Sequence, residues 1–345
     1  MTRVVLAGCP RLGGERPRRP FRRYGISGGL RASAQRAMRG APPDTTTLAA
    51  AVTRAASKQT YYTIRLLVEP ERRHAAFCAY AYFRWVDDVL DAQDRRPLED
   101  ARGERAAFLA RQQALLDRGL RGALPVGLAG HEAMLIDLLQ PDPRGGPRAA
   151  LETYLRQMMR VMDFDLRRRG RLVSASELEQ YTAWLATAVT EAMHYFLGDG
   201  TYEPRDETRY LAVTGAHILH MLRDTYPDLE AGYFNVPREV LAAGGIRPTD
   251  VDTDAYRAWV GERTNLARAC LDAGRAFFDE VHSWRHRLAG LAYIARFEWL
   301  IEQLEHDRYL VRQDYSKPGH VATAFRFGRQ AIWRPRVGTG ERIPA

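Results

Sequence analysis

The chain has 345 residues, of which 46% are hydrophobic and 27% charged, and its formal net charge is +9. This composition is typical of a globular protein with enough apolar residues for a large core. Residues 1–44 hold ten arginines against one glutamate and one aspartate, so the remainder of the chain carries a net charge of only +1. Because residues 45–345 are nearly neutral, the sequence does not indicate a nucleic-acid partner.

The same patterns divide the chain into three parts. Residues 1–44 are rich in Arg, Gly and Pro, lack the apolar content of a core and are predicted to be disordered. Residues 45–315 show helical periodicity almost throughout and predict one all-α domain of about ten helices. Residues 316–345 are predicted to form an irregular basic tail. The sequence contains no strand-like alternation, no Walker sequence and no glycine-rich dinucleotide fingerprint.

The cysteines and the hydropathy indicate the cellular compartment in which the protein is expected. Cys9, Cys78 and Cys270 are far apart in the sequence, which argues against a disulfide framework or a thiolate zinc site and favours a reducing, cytoplasmic setting. No apolar run approaches the roughly 18 residues that a membrane span needs. Peripheral contact with a membrane stays open, because the arginine-rich start is suited to anionic lipid. The oligomeric state cannot be read from the sequence.

The predicted helices follow one another with short loops between them. Asp44 to Thr47 can cap the first helix, Pro70 suits the first turn of the third, and Ser174 with Glu177 can cap a long apolar helix. The predicted spans are Thr45 to Ala56, Tyr61 to Val68, Pro70 to Asp91, Asp100 to Leu120, His131 to Leu139, Ala149 to Arg169, Leu178 to Leu197, Arg205 to Leu229, Asp254 to Trp284 and Leu288 to Arg312.

Three aspartates interrupt an otherwise apolar and aromatic helix. Asp87 and Asp91 are four residues apart and share one helix face, with Asp88 beside them; we call these three the first acidic region. Like charges at this spacing destabilise a helix unless a cation neutralises them. Carboxylates with no histidine or cysteine beside them favour Mg²⁺, particularly Mg²⁺ that also binds phosphate. The alternative is a solvated acidic helix end.

A second pair of aspartates repeats the pattern much later in the chain. Asp224 and Asp228, which we call the second acidic region, are again four residues apart, and Pro227 is predicted to end or kink their helix. Arg223 adjoins them, as Arg84 precedes Asp87 by three residues. If the two regions face each other, their carboxylates can hold several Mg²⁺ ions, and the arginines can bind a diphosphate.

Loss of a diphosphate leaving group would leave an allylic carbocation. Such a cation needs a cavity that excludes water and presents aromatic faces. The stretches around Tyr61 and the first acidic region supply these rings, although helix packing is the plainer role for any one of them. The candidates are Tyr61, Tyr62, Tyr80, Tyr82, Phe83 and Trp85.

These residues resemble the squalene/phytoene synthase family, the head-to-head branch of the class I isoprenoid synthases. The resemblance runs from about Ser57 to Arg312. Its motifs are Thr60-Tyr61-Tyr62, Arg65-Leu66-Leu67, Ala79-Tyr80-Ala81, the run from Arg84 to Asp91, Met162-Asp163-Phe164-Asp165-Leu166, Glu177-Leu178-Glu179-Gln180-Tyr181, Leu222-Arg223-Asp224 and Val236-Pro237. Their order and spacing are more specific than either acidic region alone.

The resemblance implies an all-α fold with a central cavity and two Asp-rich helices facing each other across its mouth. It implies two or three Mg²⁺ ions and polyprenyl diphosphate substrates. The implied metal ligands are Asp87, Asp91, Asp224 and Asp228, which with Tyr80 are the implied catalytic residues. The implied substrate-binding residues are Arg84, Arg223, Thr60, Tyr61 and His220. Asp88 and Asp165 match further acidic positions of the family.

The chain departs from the family pattern around the second acidic region. His220 stands where the family usually has Asn, and Pro227 stands where it has Glu. The family's Gly-Arg-x-Tyr-x-Pro is replaced by Gly-Tyr-Phe-Asn-Val-Pro at residues 232–237, which would remove one diphosphate contact and one phenol. An imidazole is a softer Mg²⁺ ligand than an amide oxygen. These departures indicate a divergent subgroup.

Three functions remain open on this evidence. The first is a prenyltransferase that joins two farnesyl or geranylgeranyl diphosphates head to head into a squalene- or phytoene-type product. The second is a terpene synthase or cyclase that uses the same ionisation on one substrate. The third is a non-enzymatic subunit of isoprenoid metabolism, for which the aspartates would be dispensable. A reductive squalene-type reaction would require NADPH, and the sequence leaves its use open, since this fold needs no dinucleotide fingerprint.

Overall fold

The computed structural model describes residues 45–92, 98–199 apart from 124, 126, 129 and 143–147, and 206–315. Within these residues the protein is all α-helical, which confirms the predicted fold class, and it has twelve α-helices rather than about ten. They are α1 (Thr45–Ala56), α2 (Lys58–Leu67), α3 (Pro70–Asp91), α4 (Leu98–Leu120), α5 (Ala133–Leu138), α6 (Arg148–Arg168), α7 (Ala175–Leu197), α8 (Leu211–Arg223), α9 (Thr225–Ala231), α10 (Arg238–Gly244), α11 (Asp254–Glu280) and α12 (Trp284–His306).

Local sequence signals explain the starts of several helices. Pro70 is the first residue of α3, where its missing N–H costs no hydrogen bond. Ser174 and Glu177 form the predicted capping box of α7, each side chain accepting from the other's backbone N–H. Ser57 caps α2 through its hydroxyl, which accepts from the Thr60 N–H. The predictions for residues 1–44 and 316–345 lie outside the described residues.

The core has two parts that meet at the centre of the bundle. Helices α1 to α7 enclose one apolar cluster, and α8 to α12 enclose the other. Met221 of α8 belongs to the first cluster and so joins the two halves. The helix that carries Met221 also leads into the second acidic region.

Close packing of α8 on α11 fixes the position of the second acidic region. A Cβ at Gly274 would lie 2.6 Å from the backbone nitrogen of Ala212, and one at Gly215 would lie 2.7 Å from the Ala267 carbonyl oxygen. Both distances are shorter than side chains tolerate, so glycine at each position permits this contact.

The structure corrects the predicted boundaries in the second half of the chain. The predicted helix from Arg205 to Leu229 is divided into a 3₁₀ turn (Glu207–Tyr210), α8 and α9. The predicted helix from Asp254 to Trp284 ends at Glu280, because Ser283 caps a new helix that begins at Trp284. The short helix α10 was not among the predicted spans. None of the described helices is long and apolar enough to cross a bilayer.

Candidate active site

The first acidic region occupies the last two turns of α3. One face of this helix, which carries Tyr82, Phe83 and Val86, is buried in the core, so the aspartates lie on the more accessible side. The Arg84 guanidinium lies among them: its Nη1 donates to Asp87 Oδ2 at 2.9 Å, and its Nη2 donates to Asp88. The charges of this region are therefore partly balanced within a single helix.

The Asp87 carboxylate is costly to ionise. Burial raises its pKa to about 7, and the negative charge of Asp91 adds to this rise, while Arg84 opposes it. The Asp87 side chain nevertheless keeps 32% of its surface exposed. A group that is costly to ionise but open to solvent can gain from a cation that enters from outside.

The second acidic region is built around a break between two helices. Asp224 is the single residue between α8 and α9, and Asp228 lies in the first turn of α9. Pro227 has no N–H to donate to the carbonyl of Arg223, so α8 cannot continue through this point. The predicted break is thus present, but it falls at Asp224, three residues before the proline.

The two aspartates of the second region have different partners. Asp224 accepts two hydrogen bonds from its neighbour Arg223, at 2.7 and 2.5 Å. Asp228 accepts from Asn235 Nδ2 at 2.6 Å. Burial raises the pKa of Asp228 to about 7, and Asp224 contributes to the rise, although the Asn235 hydrogen bond opposes it.

One tyrosine joins the two acidic regions. The backbone N–H of Tyr233 donates to the Asp228 carbonyl oxygen at 2.7 Å, and its hydroxyl donates to Asp91 Oδ1 at 2.8 Å. Asp91 and Asp228 are therefore separated by about the length of one tyrosine side chain. Asp91 of the first region and Asp228 of the second thus lie at the two ends of Tyr233, and we call the space between α3 and the α8–α9 junction the recess. That all four aspartates share this space as metal ligands stays a prediction.

A buried polar network adjoins the recess on the side of α6. Arg168, with a side chain only 8% exposed, donates to Asp165 at 2.6 Å and to Asn235 Oδ1 at 2.9 Å. Its guanidinium lies between the rings of Tyr181 and Tyr233, 4.9 and 4.8 Å from their centroids. Since Asn235 also holds Asp228, the network connects α6 to the second acidic region.

Asp165 is the buried acid of this network. It accepts from the Tyr181 hydroxyl at 2.9 Å, and burial raises its pKa although Arg168 opposes the rise. The negative charge of Asp165 adds to the raised pKa of Asp87 and of Asp228, and the charge of Asp91 adds to the raised pKa of Asp165 itself. The predictions noted Asp165 as a family position but missed Arg168, for which no sequence signal distinguished one arginine from its neighbours Arg167 and Arg169.

A second arginine of the site was also missed. Arg296 of α12 lies near Arg223 and Tyr80, and burial together with the positive charge of Arg223 lowers its pKa. Two guanidiniums that destabilise each other in a recess favour the binding of an anion between them. Arg296 lies in an amphipathic helix without a recognisable motif, so the sequence analysis could not select it.

The predicted substrate-binding residues of α2 and α3 lie on the α2 side of the recess. The Thr60 hydroxyl donates to Ser57 Oγ at 2.9 Å, and Ser57 in turn hydrogen-bonds Tyr80. Burial raises the pKa of Tyr80 while the nearby Arg84 lowers it. Tyr61 packs against Phe77 with 5.4 Å between ring centroids.

The histidines of α8 lie among aromatic rings. His220 packs on Phe297 of α12, with 4.8 Å between ring centroids. His217 is buried beside Tyr181, 5.1 Å between centroids, and burial lowers its pKa to about 3, with Arg168 adding to the effect. These surroundings give His217 a neutral packing role, and a substrate-binding role for His220 stays a prediction.

The donor set suits a hard divalent cation. The candidate ligand atoms are carboxylate oxygens of Asp87, Asp91, Asp224 and Asp228, and oxygen is the donor that Mg²⁺ prefers. Burial raises the pKa of Asp87 and of Asp228, and neighbouring carboxylates add to both rises, so that ionising either group is costly without a cation. A divalent cation between the two regions would supply that positive charge.

The interior beside the second region contains a small cavity. Its volume is about 40 Å³, and Leu178, Met221, Asn235, Trp259 and Arg263 are among its lining residues. This is space for a few water molecules rather than for a prenyl chain. The central cavity that the resemblance implies therefore stays a prediction.

The all-helical bundle, in which two acid-bearing helices meet at one recess, matches solved squalene synthase structures and so has the isoprenoid synthase fold. The squalene/phytoene synthase family model matches residues 53–323, and the chain belongs to this family. The structure of squalene synthase HpnC from Alicyclobacillus acidocaldarius is similar with a TM-score of 0.59 and 19% identity, covering 78% of this chain and 95% of that one. A dehydrosqualene synthase structure is similar with a TM-score of 0.63 and 14% identity, covering 86% and 96%.

Curated relatives are distant in sequence. A chloroplastic phytoene synthase of an Oncidium hybrid cultivar is 23% identical over 275 residues, covering 77% of this chain and 62% of the relative. The presqualene diphosphate synthase of Rhodopseudomonas palustris is 27% identical over 190 residues, covering 55% and 62%. The chain thus spans about three fifths of the length of these relatives. The resemblance seen in the sequence is confirmed at the level of the family.

Proposed function

We propose that this protein is a Mg²⁺-dependent prenyltransferase that condenses two polyprenyl diphosphates, farnesyl or geranylgeranyl, head to head into a squalene- or phytoene-type product. The observation that carries the proposal is the meeting of Asp91 and Asp228 across Tyr233, with Arg84 and Arg223 beside them. Relatives named phytoene synthase and presqualene diphosphate synthase support the same reaction class.

The four aspartates would hold two or three Mg²⁺ ions. When bound, Mg²⁺ neutralises the diphosphate and so makes it a better leaving group. Arg84 and Arg223 supply positive charge on either side of the recess. Arg296 adds a third guanidinium, whose pKa is lowered by burial and by the positive charge of Arg223. These arginines would bind and orient the diphosphate as charge-assisted donors.

The residues of α2 and α3 would protect the hydrocarbon end of the substrate. Tyr61 and Tyr80, which are both half-buried, would present ring faces to the allylic cation and help to keep water away from it. Thr60, held by Ser57, would position the neighbouring part of the chain. Orientation and exclusion of water are thus the roles assigned to this side of the recess.

Product analysis tests this proposal. Purified protein is incubated with farnesyl or geranylgeranyl diphosphate and Mg²⁺, with and without NADPH, and released diphosphate and hydrocarbon products are measured. We expect diphosphate release and a C30 or C40 product. Dependence on NADPH would identify a reductive final step. No product from any substrate pair, with diphosphate release absent, would reject the proposal.

A second candidate is a single-substrate terpene synthase or cyclase. The altered second region favours it, since His220 and Pro227 replace the family's usual oxygen ligands at these positions. The same assay separates the two functions, because this candidate gives a C15 or C20 product that retains one prenyl chain. We propose a cytoplasmic setting for either reaction, with the protein acting on lipid-like substrates.

A further inference from the structure

Large apolar side chains are exposed on one side of the protein. In the described part of the chain, Tyr62 is 51% exposed, Leu66 68% and Trp284 55%. Tyr62 and Leu66 are one turn apart on α2 and therefore share a face. Leu172 and Leu266 are the other exposed large apolar residues, and they are less exposed, at 40% and 44%.

An ion pair brings Trp284 close to the end of α2. Arg285 pairs with Glu69, which lies just after α2 and three residues beyond Leu66. The Arg285 guanidinium also lies 5.2 Å from the centroid of the Trp284 ring. The start of α12 therefore adjoins the end of α2. We group the exposed Tyr62 and Leu66 of α2 with the exposed Trp284 of α12 as one surface, which we call the α2 face.

The charged residues of α1 and α2 are all basic. Arg54, Lys58 and Arg65 are exposed, and residues 45–68 contain no aspartate or glutamate. Lys58, Tyr62, Arg65 and Leu66 follow at helical spacing along one side of α2. A helix that combines exposed apolar residues with flanking cations suits the interface of an anionic bilayer, where the apolar groups enter the headgroup region and the cations meet lipid phosphate.

The opposite side of α2 faces the candidate active site. The Thr60 hydroxyl donates a hydrogen bond to Ser57, and Ser57 is hydrogen-bonded to Tyr80, which lies one turn before Arg84. A membrane on the α2 face would therefore lie against the outer side of a helix whose inner side reaches the site. Polyprenyl diphosphates carry long apolar chains that partition into bilayers, so this placement would shorten their path to the site.

We propose that the α2 face docks the protein on an anionic lipid bilayer. Binding to lipid does not depend on the proposed reaction, whereas the delivery of substrate from the membrane rests on it. The basic charge distinguishes a bilayer from a second copy of this chain, because two identical basic faces would repel each other.

Vesicle binding with matched variants tests the docking. The full chain is floated with phosphatidylcholine vesicles with or without phosphatidylglycerol, and partition is compared for Leu66→Ser/Trp284→Ser and the control Leu172→Ser/Leu266→Ser. We expect partition of the first variant to fall by about tenfold or more, since each apolar group is worth at least 1.4 kcal/mol when buried. Partition of the control should stay within about twofold of that of the unaltered protein, because Leu172 and Leu266 lie outside the α2 face and so lose no burial in the bilayer.

Charge reversal tests the electrostatic part. Lys58→Glu/Arg65→Glu should lower partition on anionic vesicles by about tenfold or more, at roughly 1 kcal/mol for each basic residue removed, and high salt should have the same effect on the unaltered protein. Helical circular dichroism and size-exclusion elution identify misfolded variants. If Leu66→Ser/Trp284→Ser misfolds, the single variant Leu66→Gln takes its place.

Two results would overturn the docking. One is equal partition of the Leu66→Ser/Trp284→Ser variant and its control. The other is a concentration-dependent dimer that only this variant loses, which would make the α2 face a self-association surface. All of these measurements omit substrate, so a failed prenyltransferase assay leaves them interpretable. If docking holds and the reaction fails, the membrane inference stands without the substrate delivery.

Discussion

The aspartates at the end of α3 and those at the α8–α9 junction are the same kind of side chain at the same spacing, yet they are held differently. In the first region, Arg84 pairs with Asp87 and Asp88 within one helix, at 28% side-chain exposure. In the second region, Asp228 depends on Asn235, which in turn depends on Arg168 of a distant helix.

This difference separates local from tertiary support. A helix-internal ion pair that faces solvent contributes little to stability, because water screens it. A buried arginine that holds an acid and an amide contributes through the cost of leaving those groups without a partner. Mutations at the two regions should therefore resemble each other in activity and differ in stability.

The largest expected effect is common to both regions. Asp87→Ala and Asp228→Ala should each lower the rate of Mg²⁺-dependent diphosphate release by about 10³-fold, corresponding to about 4 kcal/mol of transition-state stabilisation. Asp117→Ala is the control, since Asp117 pairs with Arg156 on the exposed surface. If Asp228→Ala retains most of the activity while Asp87→Ala does not, only the first region binds catalytic metal.

The arginines should separate the two regions by stability. Arg168→Met leaves Asp165 buried without its cation and should lower the free energy of unfolding by about 3–5 kcal/mol, measured by urea denaturation. Arg84→Met should change it by less than about 1 kcal/mol. Adding Asp165→Asn to Arg168→Met should restore part of the loss. Equal destabilisation by the two arginine variants would contradict the distinction between local and tertiary support.

The hydrogen bond from Tyr233 to Asp91 connects the two regions, and its loss should have a smaller effect than the loss of an aspartate from either region. Tyr233→Phe removes the hydrogen bond to Asp91 and keeps the ring against Arg168, so the expected cost is about 0.5–1.5 kcal/mol. We expect a few-fold weaker binding of Mn²⁺ with inorganic diphosphate, followed by electron paramagnetic resonance. Tyr154→Phe removes a buried hydrogen bond to the Ala79 carbonyl, away from the acidic regions, and should leave Mn²⁺ binding unchanged. A Tyr233→Phe variant with unaltered Mn²⁺ affinity would show that the bridge does not set the metal spacing.

The sequence predicted the local features of this site and missed those that depend on the fold. Asp87, Asp91, Asp224 and Asp228 stand out because their spacing on apolar helices is unusual, and Arg84 and Arg223 stand out because they lie beside these aspartates in the sequence. Arg168 and Arg296 have no such local pattern. Their roles arise from which side chains of other helices surround them, which periodicity cannot show.

The departures at residues 232–237 illustrate the same limit. From the sequence, replacing the family's Arg and Tyr with Tyr233 and Asn235 reads as the loss of two contacts. In the structure, Tyr233 reaches Asp91, Asn235 holds Asp228, and a guanidinium is supplied to this loop by Arg168 of α6. A substitution that looks like a loss in one segment is thus accompanied by a partner from another, which only the tertiary arrangement shows.

The last expected effect concerns pH and the protein without metal. The folded-state pKa of Asp87 is raised to about 7, above the ordinary value of an unfolded aspartate. Between these values the folded state binds more protons than the unfolded state, so this group lowers stability as pH rises from about 4 to 7. Asp87→Asn should therefore stabilise the metal-free protein by about 1–2 kcal/mol above pH 7, after allowance for solvent screening at the open recess, and by little near pH 4.

Thermal unfolding across this pH range, with chelator present, measures the difference, and Asp117→Asn is the control. Mg²⁺ with inorganic diphosphate should reverse the order of stability at pH 8, because the ionised Asp87 gains a cation that the asparagine cannot bind as well. A stability gain that is equal at pH 4 and pH 8 would mean that packing, and not the charge of Asp87, sets the effect. The first acidic region would then lack the excess of negative charge that distinguishes a metal-binding recess from an ordinary helix end.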